Sequence, residues 1–376
     1  MNDFPTFRPL DKSSDLYNMI YQELMVSNDS QFVIDELGTA IASNRGLRRE
    51  RNEDRIVVAR TMSLVGERFT VAIVCDGVGG SESGEQAAVL TLTSILCDLT
   101  NMKSSLRLRD IAIAVVQRAD EHVRTELKGR GSTTLVMVLA SSNGDLVCAN
   151  VGDSRVYSWR KQSPRLLKQI SMDDTVENEL KNIPGNHNAL IFDRGLQGRL
   201  SQAVGEDGRT VADLKIQIYG REYFPEGVVL GSDGLWRISK DFEAVIAHST
   251  TPSDAIRRAI ALANWVGGVD NSSLIVIDDI KTFCNSNISN FTKPPGTSEI
   301  NLWCSSVKSR ILFAERNNKD LDNIKSSSVE KPKRAPKKKF QKSVSENKQL
   351  KLDVVDNKLS KPKIEITESN DNQSDD

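Results

Sequence analysis

An unbroken apolar run, Phe69–Cys75, stops abruptly at Asp76-Gly77-Val78-Gly79-Gly80 and leaves few folds open to the chain. The β-branched run reads as a buried strand, and the glycines force a turn as the chain leaves it. One carboxylate, Asp76, therefore stands at a strand end, where the Gly77 backbone can approach whatever Asp76 binds. Glu82 takes the place of the third glycine of a dinucleotide fingerprint, and no Gly-Lys-Ser/Thr follows as in a phosphate loop. Alone, Asp-Gly is ordinary turn chemistry.

Further strands are expected at Arg55–Arg60, Ser132–Ala140, Asp145–Asn150, Arg155–Trp159, Leu214–Tyr219, Gly227–Leu230 and Ser272–Ile277. Helices are expected over Gly84–Asp98 and Leu106–Leu127, the second with Leu108, Ile111, Val115, Ala119 and Val123 at helical spacing. Two more fit Asp241–His248 and Ser253–Trp265, the latter opened by Thr251-Pro252. Clustered strands, interrupted by one helix pair and closed by another, are not the alternation of a doubly wound sheet. They predict an α+β domain in which antiparallel sheets are sandwiched by helical layers.

Residues 1–34 read as a leader whose one amphipathic helix, Asp15–Met25, packs on the main domain. Residues 35–282 form that domain, with 171–198 a polar, flap-like surface insertion. From 283 to 376 Asn, Ser, Lys and Pro dominate, with a basic run at 331–342, and a structureless tail is expected. Trp303 and Ile311-Leu312-Phe313 form one apolar island within it, suited to docking. The net charge of -1 argues against general nucleic-acid affinity. Five scattered cysteines without a C-x-x-C pair suit a reduced, cytoplasmic chain, and no apolar stretch is long enough to span a bilayer.

Acids recur where other strands begin or end: Glu53-Asp54 before the strand at 55, Asp153 between two strands, Asp233-Gly234 after the strand at 227, and Asp270-Asn271 before the strand at 272. Gathered in one place, these carboxylates would repel one another unless a cation neutralised them. Oxygen donors without His or Cys suit Mg2+ or Mn2+ rather than zinc.

Six stretches in order carry a resemblance: Gly46-Leu47-Arg48-Arg49-Glu50-Arg51-Asn52-Glu53-Asp54, Asp76–Gly80, Gly131-Ser132-Thr133-Thr134, Val151-Gly152-Asp153-Ser154-Arg155, Ser232-Asp233-Gly234-Leu235-Trp236 and Asp270-Asn271. Arg199–Gly205 is a weaker match. Together they resemble the metal-dependent type 2C protein serine/threonine phosphatases over about residues 36–280. The resemblance implies a central antiparallel β-sandwich flanked by helices and hydrolysis of phosphoserine and phosphothreonine in proteins, opposing a Ser/Thr kinase. It also implies two Mn2+ or Mg2+ ions bridged by Asp76. Asp233 and Asp270 would complete the first site; Glu53 and the Gly77 carbonyl would serve the second, with Asp54 close by. Asp153 resembles the acid that, with Asp233, holds a third, looser ion in bacterial members. Arg49 stands at the phosphate-binding position and Asn271 behind the ligands. Arg155 would brace the loop that carries Asp153.

Water activated between two dications would attack phosphorus in line, with a guanidinium matched to the phosphoryl oxygens. No G-x-S-x-G elbow or phosphate-loop cysteine suggests a covalent route. Val78 stands where eukaryotic members often carry a histidine, and points to the bacterial branch. Leaving-group protonation then falls to water, with His187 in the insertion as the one histidine alternative; His122 and His248 read as structural. Thr133 and Thr134 are expected to bond backbone near the acidic loops, and Trp236 and Trp265 to lie in the core. Arg48 and Arg51 read as solvated or as favouring acidic phosphopeptides, and the basic tail as a linker or a docking arm for a partner. A phospho-binding pseudophosphatase module and a small-molecule phosphomonoesterase are the alternative functions; the complete acid set favours turnover.

Overall fold

The computed structural model describes residues 5–26, 29–78, 83–103, 106–160, 166–181, 183, 191, 194–237, 241–285, 297–304, 307–314 and 364–368. Its strands are β1 (Ser30–Ile34), β2 (Thr39–Asn44), β3 (Arg55–Met62), β4 (Arg68–Cys75), β5 (Leu135–Ser141), β6 (Leu146–Val151), β7 (Arg155–Arg160), β8 (Leu166–Gln169), β9 (Gln217–Gly220), β10 (Gly227–Gly231), β11 (Ser272–Ile277), β12 (Thr297–Trp303), β13 (Val307–Ala314) and β14 (Ile364–Glu368). The helices are α1 (Asp15–Met25), α2 (Gly84–Asn101), α3 (Leu108–Leu127), α4 (Val176–Lys181), α5 (Asp233–Trp236), α6 (Phe242–Ala247), α7 (Pro252–Trp265) and α8 (Ile280–Cys284).

Two antiparallel sheets result, one ordered β1-β2-β11-β10-β7-β8 and the other β14-β13-β12-β3-β4-β5-β6-β9. The central strands are apolar throughout because both of their faces are covered. Along β4, Ala72 and Val74 point into the core between the sheets, whereas Val71, Ile73 and Cys75 point outward beneath α1, α2 and α3. β11 alternates in the same way: Ile275 and Ile277 enter the inter-sheet core, and Leu274 and Val276 meet α6 and α7. The period of two in each strand thus builds a helix–sheet–sheet–helix stack. The α+β class and the flanked antiparallel sandwich are as expected.

α1 occupies its expected residues and buries Leu16, Tyr17, Ile20 and Leu24 against the outer face of the larger sheet. Ser14 caps it, its hydroxyl accepting from the Tyr17 N–H at 3.2 Å. Near it, the Tyr17 hydroxyl and His122 Nε2 lie 3.0 Å apart, so His122 serves packing. His248 does the same at the end of α6, its Nδ1 2.7 Å from the Ala244 carbonyl oxygen.

Three expectations need correction. β1 falls inside the leader and pairs with β2 from Ser30↔Ser43 to Ile34↔Thr39, so the sheet begins before residue 35. Thr297–Trp303 and Val307–Ala314, expected in a structureless tail, instead extend the larger sheet, β12 pairing with β3 from Ile300↔Thr61 to Trp303↔Val58. The apolar island is the reason: Ile300, Leu302, Trp303 and Ile311 find buried positions along that edge. The basic run at 331–342 lies outside the described residues. Trp265, expected in the core, is 84% exposed at the end of α7, whereas Trp236 packs against the outer core of the smaller sheet.

Candidate active site

Strand register carries the acids to one end of the sandwich. Pairing of Arg55 with Cys75 sets Asp54 and Asp76, each one residue beyond its strand, side by side. Pairing of Gly231 with Arg155 and with Leu274 brings the turn at Asp233 beside Asp153 and beside Asp270-Asn271. Arg49, Glu53, Asp76, Gly77, Asp153, Asp233, Asp270 and Asn271 all line one cleft of about 610 Å³, and Asp54 is buried beneath it.

The Asp76 loop is held by the hydroxyls expected to do so. The Asp76 N–H donates to Thr134 Oγ1 at 3.0 Å, and Thr133 Oγ1 donates to the Asp76 carbonyl at 2.8 Å. Gly77 has no room for a side chain: a Cβ there would come within 2.6 Å of the Gly84 carbonyl carbon and 2.9 Å of the Glu53 carbonyl oxygen. Asn271 ties the opposite rim together. Its Oδ1 accepts from the Glu53 N–H at 2.8 Å, and its Nδ2 donates to the Arg45 and Arg51 carbonyls at 2.8 and 3.0 Å. Gly79 and Gly80 of the motif lie outside the described residues.

Electrostatics divides the cleft in two. On one side, Asp54 Oδ2 accepts from the Ser232 hydroxyl at 2.8 Å, while its buried Oδ1 has no hydrogen-bond partner among the described residues. Burial, with the charges of Asp233 and Asp270, raises its pKa to about 7. Asp76 is pushed well up by burial and then by Asp54, Asp233, Asp153 and Asp270. Burial also raises Glu53. On the other side, arginines already balance the charge. Arg49 Nη2 lies 2.8 Å from Asp270 Oδ1, and Arg237 reaches both Asp153 and Asp233 at 2.7 Å. Asp153 is nonetheless raised to about 7 by burial and Asp233, against the pull of Arg237.

Among the described residues, no three His, Cys, Asp or Glu side chains form a ready-made metal cage. The acids share a cleft, but guanidinium groups hold several of them. The donor set still suits a hard divalent cation around Asp76, where carboxylates crowd and one buried oxygen is unpartnered. It does not suit one between Asp153 and Asp233, where a cation is already in place.

Arg155 braces its neighbourhood as expected: it pairs with Asp173 at 2.7 and 2.8 Å and stacks 3.4 Å over the Trp236 ring. The next residue, Asp174, accepts from the Gly152 N–H at 2.8 Å, so the base of the 171–198 insertion is stitched to the turn that carries Asp153. Val78 lines the cleft, no histidine does among the described residues, and His187 lies outside them. Ser232 stands in a motif that the sequence displays, but its bond to Asp54 is not legible there, and nothing local marks Arg237 as a partner of Asp153.

Residues 40–181 match the family described as protein phosphatase 2C, and the chain is similar to bacterial proteins of that type. It is 24% identical to the serine/threonine phosphatase stp of Listeria monocytogenes over 249 residues, 63% of this chain and 93% of that protein. It is 21% identical to the protein phosphatase PhpP of Streptococcus pneumoniae over 63% of this chain and 96% of that one. In fold it is similar to the serine/threonine phosphatase of S. agalactiae, with a TM-score of 0.53 at 22% identity, over 63% of this chain and 97% of the other. A PPM Ser-Thr phosphatase from Mycobacterium smegmatis gives a TM-score of 0.50 at 24% identity, over 66% and 99%.

Proposed function

We propose that this chain hydrolyses phosphoserine and phosphothreonine esters in proteins, with two Mn2+ or Mg2+ ions held around Asp76. The observation that carries the reading is the convergence of strand-end acids on a single cleft, with Asp76 half-buried among four other carboxylates. Asp76, Asp233 and Asp270 would hold one ion, and Asp76, Glu53 and the Gly77 carbonyl the other, with Asp54 beneath. When bound, such ions acidify water and offset charge on phosphoryl oxygens.

The chain's own residues do the rest. Thr133 and Thr134 fix the Asp76 backbone, so the carboxylate is presented without loss of freedom at the moment of reaction. Asn271 sets the height of Glu53 over the cleft. Arg49, 40% exposed at the rim and paired with Asp270, would be free to hold phosphoryl oxygens if a cation took its place on Asp270. Val78 is aprotic, so the leaving alkoxide takes its proton from water. The substrates are products of a Ser/Thr kinase. All five cysteines are buried and none forms a disulfide among the described residues, which supports a reducing, cytoplasmic setting. No helix among the described residues is long and apolar enough to cross a membrane.

The test is Mn2+-dependent phosphate release from a phosphothreonine peptide. Chelation by EDTA is expected to abolish it, and Asp233→Asn to reduce it by roughly 100-fold or more, an added barrier of about 2.7 kcal/mol. Folded, Mn2+-loaded protein that binds the phosphopeptide without turnover would instead identify a phosphate-recognition module.

A further inference from the structure

Arg237 engages two acids of the cleft at once. It follows α5 directly. One helical turn sets its guanidinium beside Asp233, with Nη1 to Oδ2 at 2.7 Å. The same guanidinium spans to Asp153 on the β6–β7 turn, with Nη2 to Oδ2 at 2.7 Å. Nη2 also donates to the Gly198 carbonyl at 3.2 Å. The two carboxylates are 4% and 11% exposed and the Arg237 side chain 44%, so the acids lie in the cleft wall and the arginine reaches them from the solvent side.

Two facing carboxylates in a cleft already crowded with acid would ordinarily admit a divalent ion. Here a planar fork with fixed positive charge lies between them and satisfies an oxygen of each. A metal ion bridging Asp153 Oδ2 and Asp233 Oδ2 would have to displace that fork from both acids. The contrast lies across the same cleft: among the described residues no arginine side chain pairs with the Asp54 or Asp76 carboxylate, and a buried Asp54 oxygen lacks a hydrogen-bond partner.

We propose that Arg237 is a built-in cation that closes the Asp153–Asp233 pair to a further divalent ion. The cleft then operates with two metal ions and no third, and Asp153 is the acceptor of an arginine and not a metal ligand. This rests on the two-ion reading above, and the two are separable by counting ions.

Mn2+ bound per folded full-length chain, measured by equilibrium dialysis with atomic absorption at millimolar Mn2+, gives the count. The native chain and Arg237→Lys are expected to bind two ions. Arg237→Asp is expected to bind three, and the added change Asp153→Asn to return the count to two. Circular dichroism confirms folding, and Arg237→Gln, which frees the same carboxylates without adding charge, replaces Arg237→Asp if that variant misfolds. A native count of three, or a count of two in folded Arg237→Asp or Arg237→Gln, overturns the inference and leaves the two-ion reading standing. A native count of zero overturns both.

Discussion

Asp76 owes its position to a neighbour that has no side chain. Gly77 lies against the Gly84 carbonyl carbon and the Glu53 carbonyl oxygen, both backbone atoms of elements packed into the core. Backbone cannot swing aside as a flexible side chain can, so even one methyl group must displace the turn. Gly77→Ala is therefore expected to cost about 1–3 kcal/mol of stability, as overpacking does, and to move Asp76 out of line. Urea denaturation and Mn2+-dependent turnover should both fall; a variant with native stability and native turnover would show that the turn has slack. The requirement was half visible in the sequence. The Asp-Gly pair announced a turn, but the crowding on Gly77 comes from Glu53 and Gly84, which meet only in the folded chain.

Strand pairing decides where the domain stops. β3 would be the edge of the larger sheet without β12, with its hydrogen-bonding groups open to solvent or to other chains. β12 and β13 cover that edge and bury Ile300, Leu302, Trp303 and Ile311, each side chain contributing about 1.5–3 kcal/mol. A chain ending at residue 296 is thus expected to lose several kcal/mol and to aggregate, read by thermal melting and light scattering. Equal melting temperatures for the truncated and full-length chains would show that β12 is an accessory strand. Composition misled the sequence reading at this point. Polar residues outnumber apolar ones around residues 283–330, and the few apolar side chains gain their value only against an edge supplied by β3.

Proton and metal binding act on the stability of the entire fold. Burial raises Asp54 and Asp153 from 3.8 to about 7, so in metal-free protein they hold protons that the unfolded chain has released. A raised folded pKa contributes stability that is complete below the unfolded value and is lost as pH climbs through the folded one. Metal-free protein is therefore expected to lose melting temperature between about pH 4 and pH 7, and a divalent cation, binding the ionised cleft, to restore it. Melting curves in EDTA and in Mn2+ across that range check this. A constant gap between the two would mean that the acids do not titrate with folding. Much of the molecule is legible along the chain, because apolar alternation, turn glycines and strand-end acids are properties of a few adjacent residues. The long helices, the strands β3 to β7, β10 and β11 and the acids of the cleft announce themselves in that way, whereas the inner strands β2 and β12 and the short helices α4, α5 and α8 do not. What the chain could not disclose is which charges meet: Arg237 and Asp153 stand 84 residues apart, and only the register of β10 on β7 brings one to the other. Coulomb attraction depends on distance in space, and distance in space is set by strand pairing, not by order along the chain.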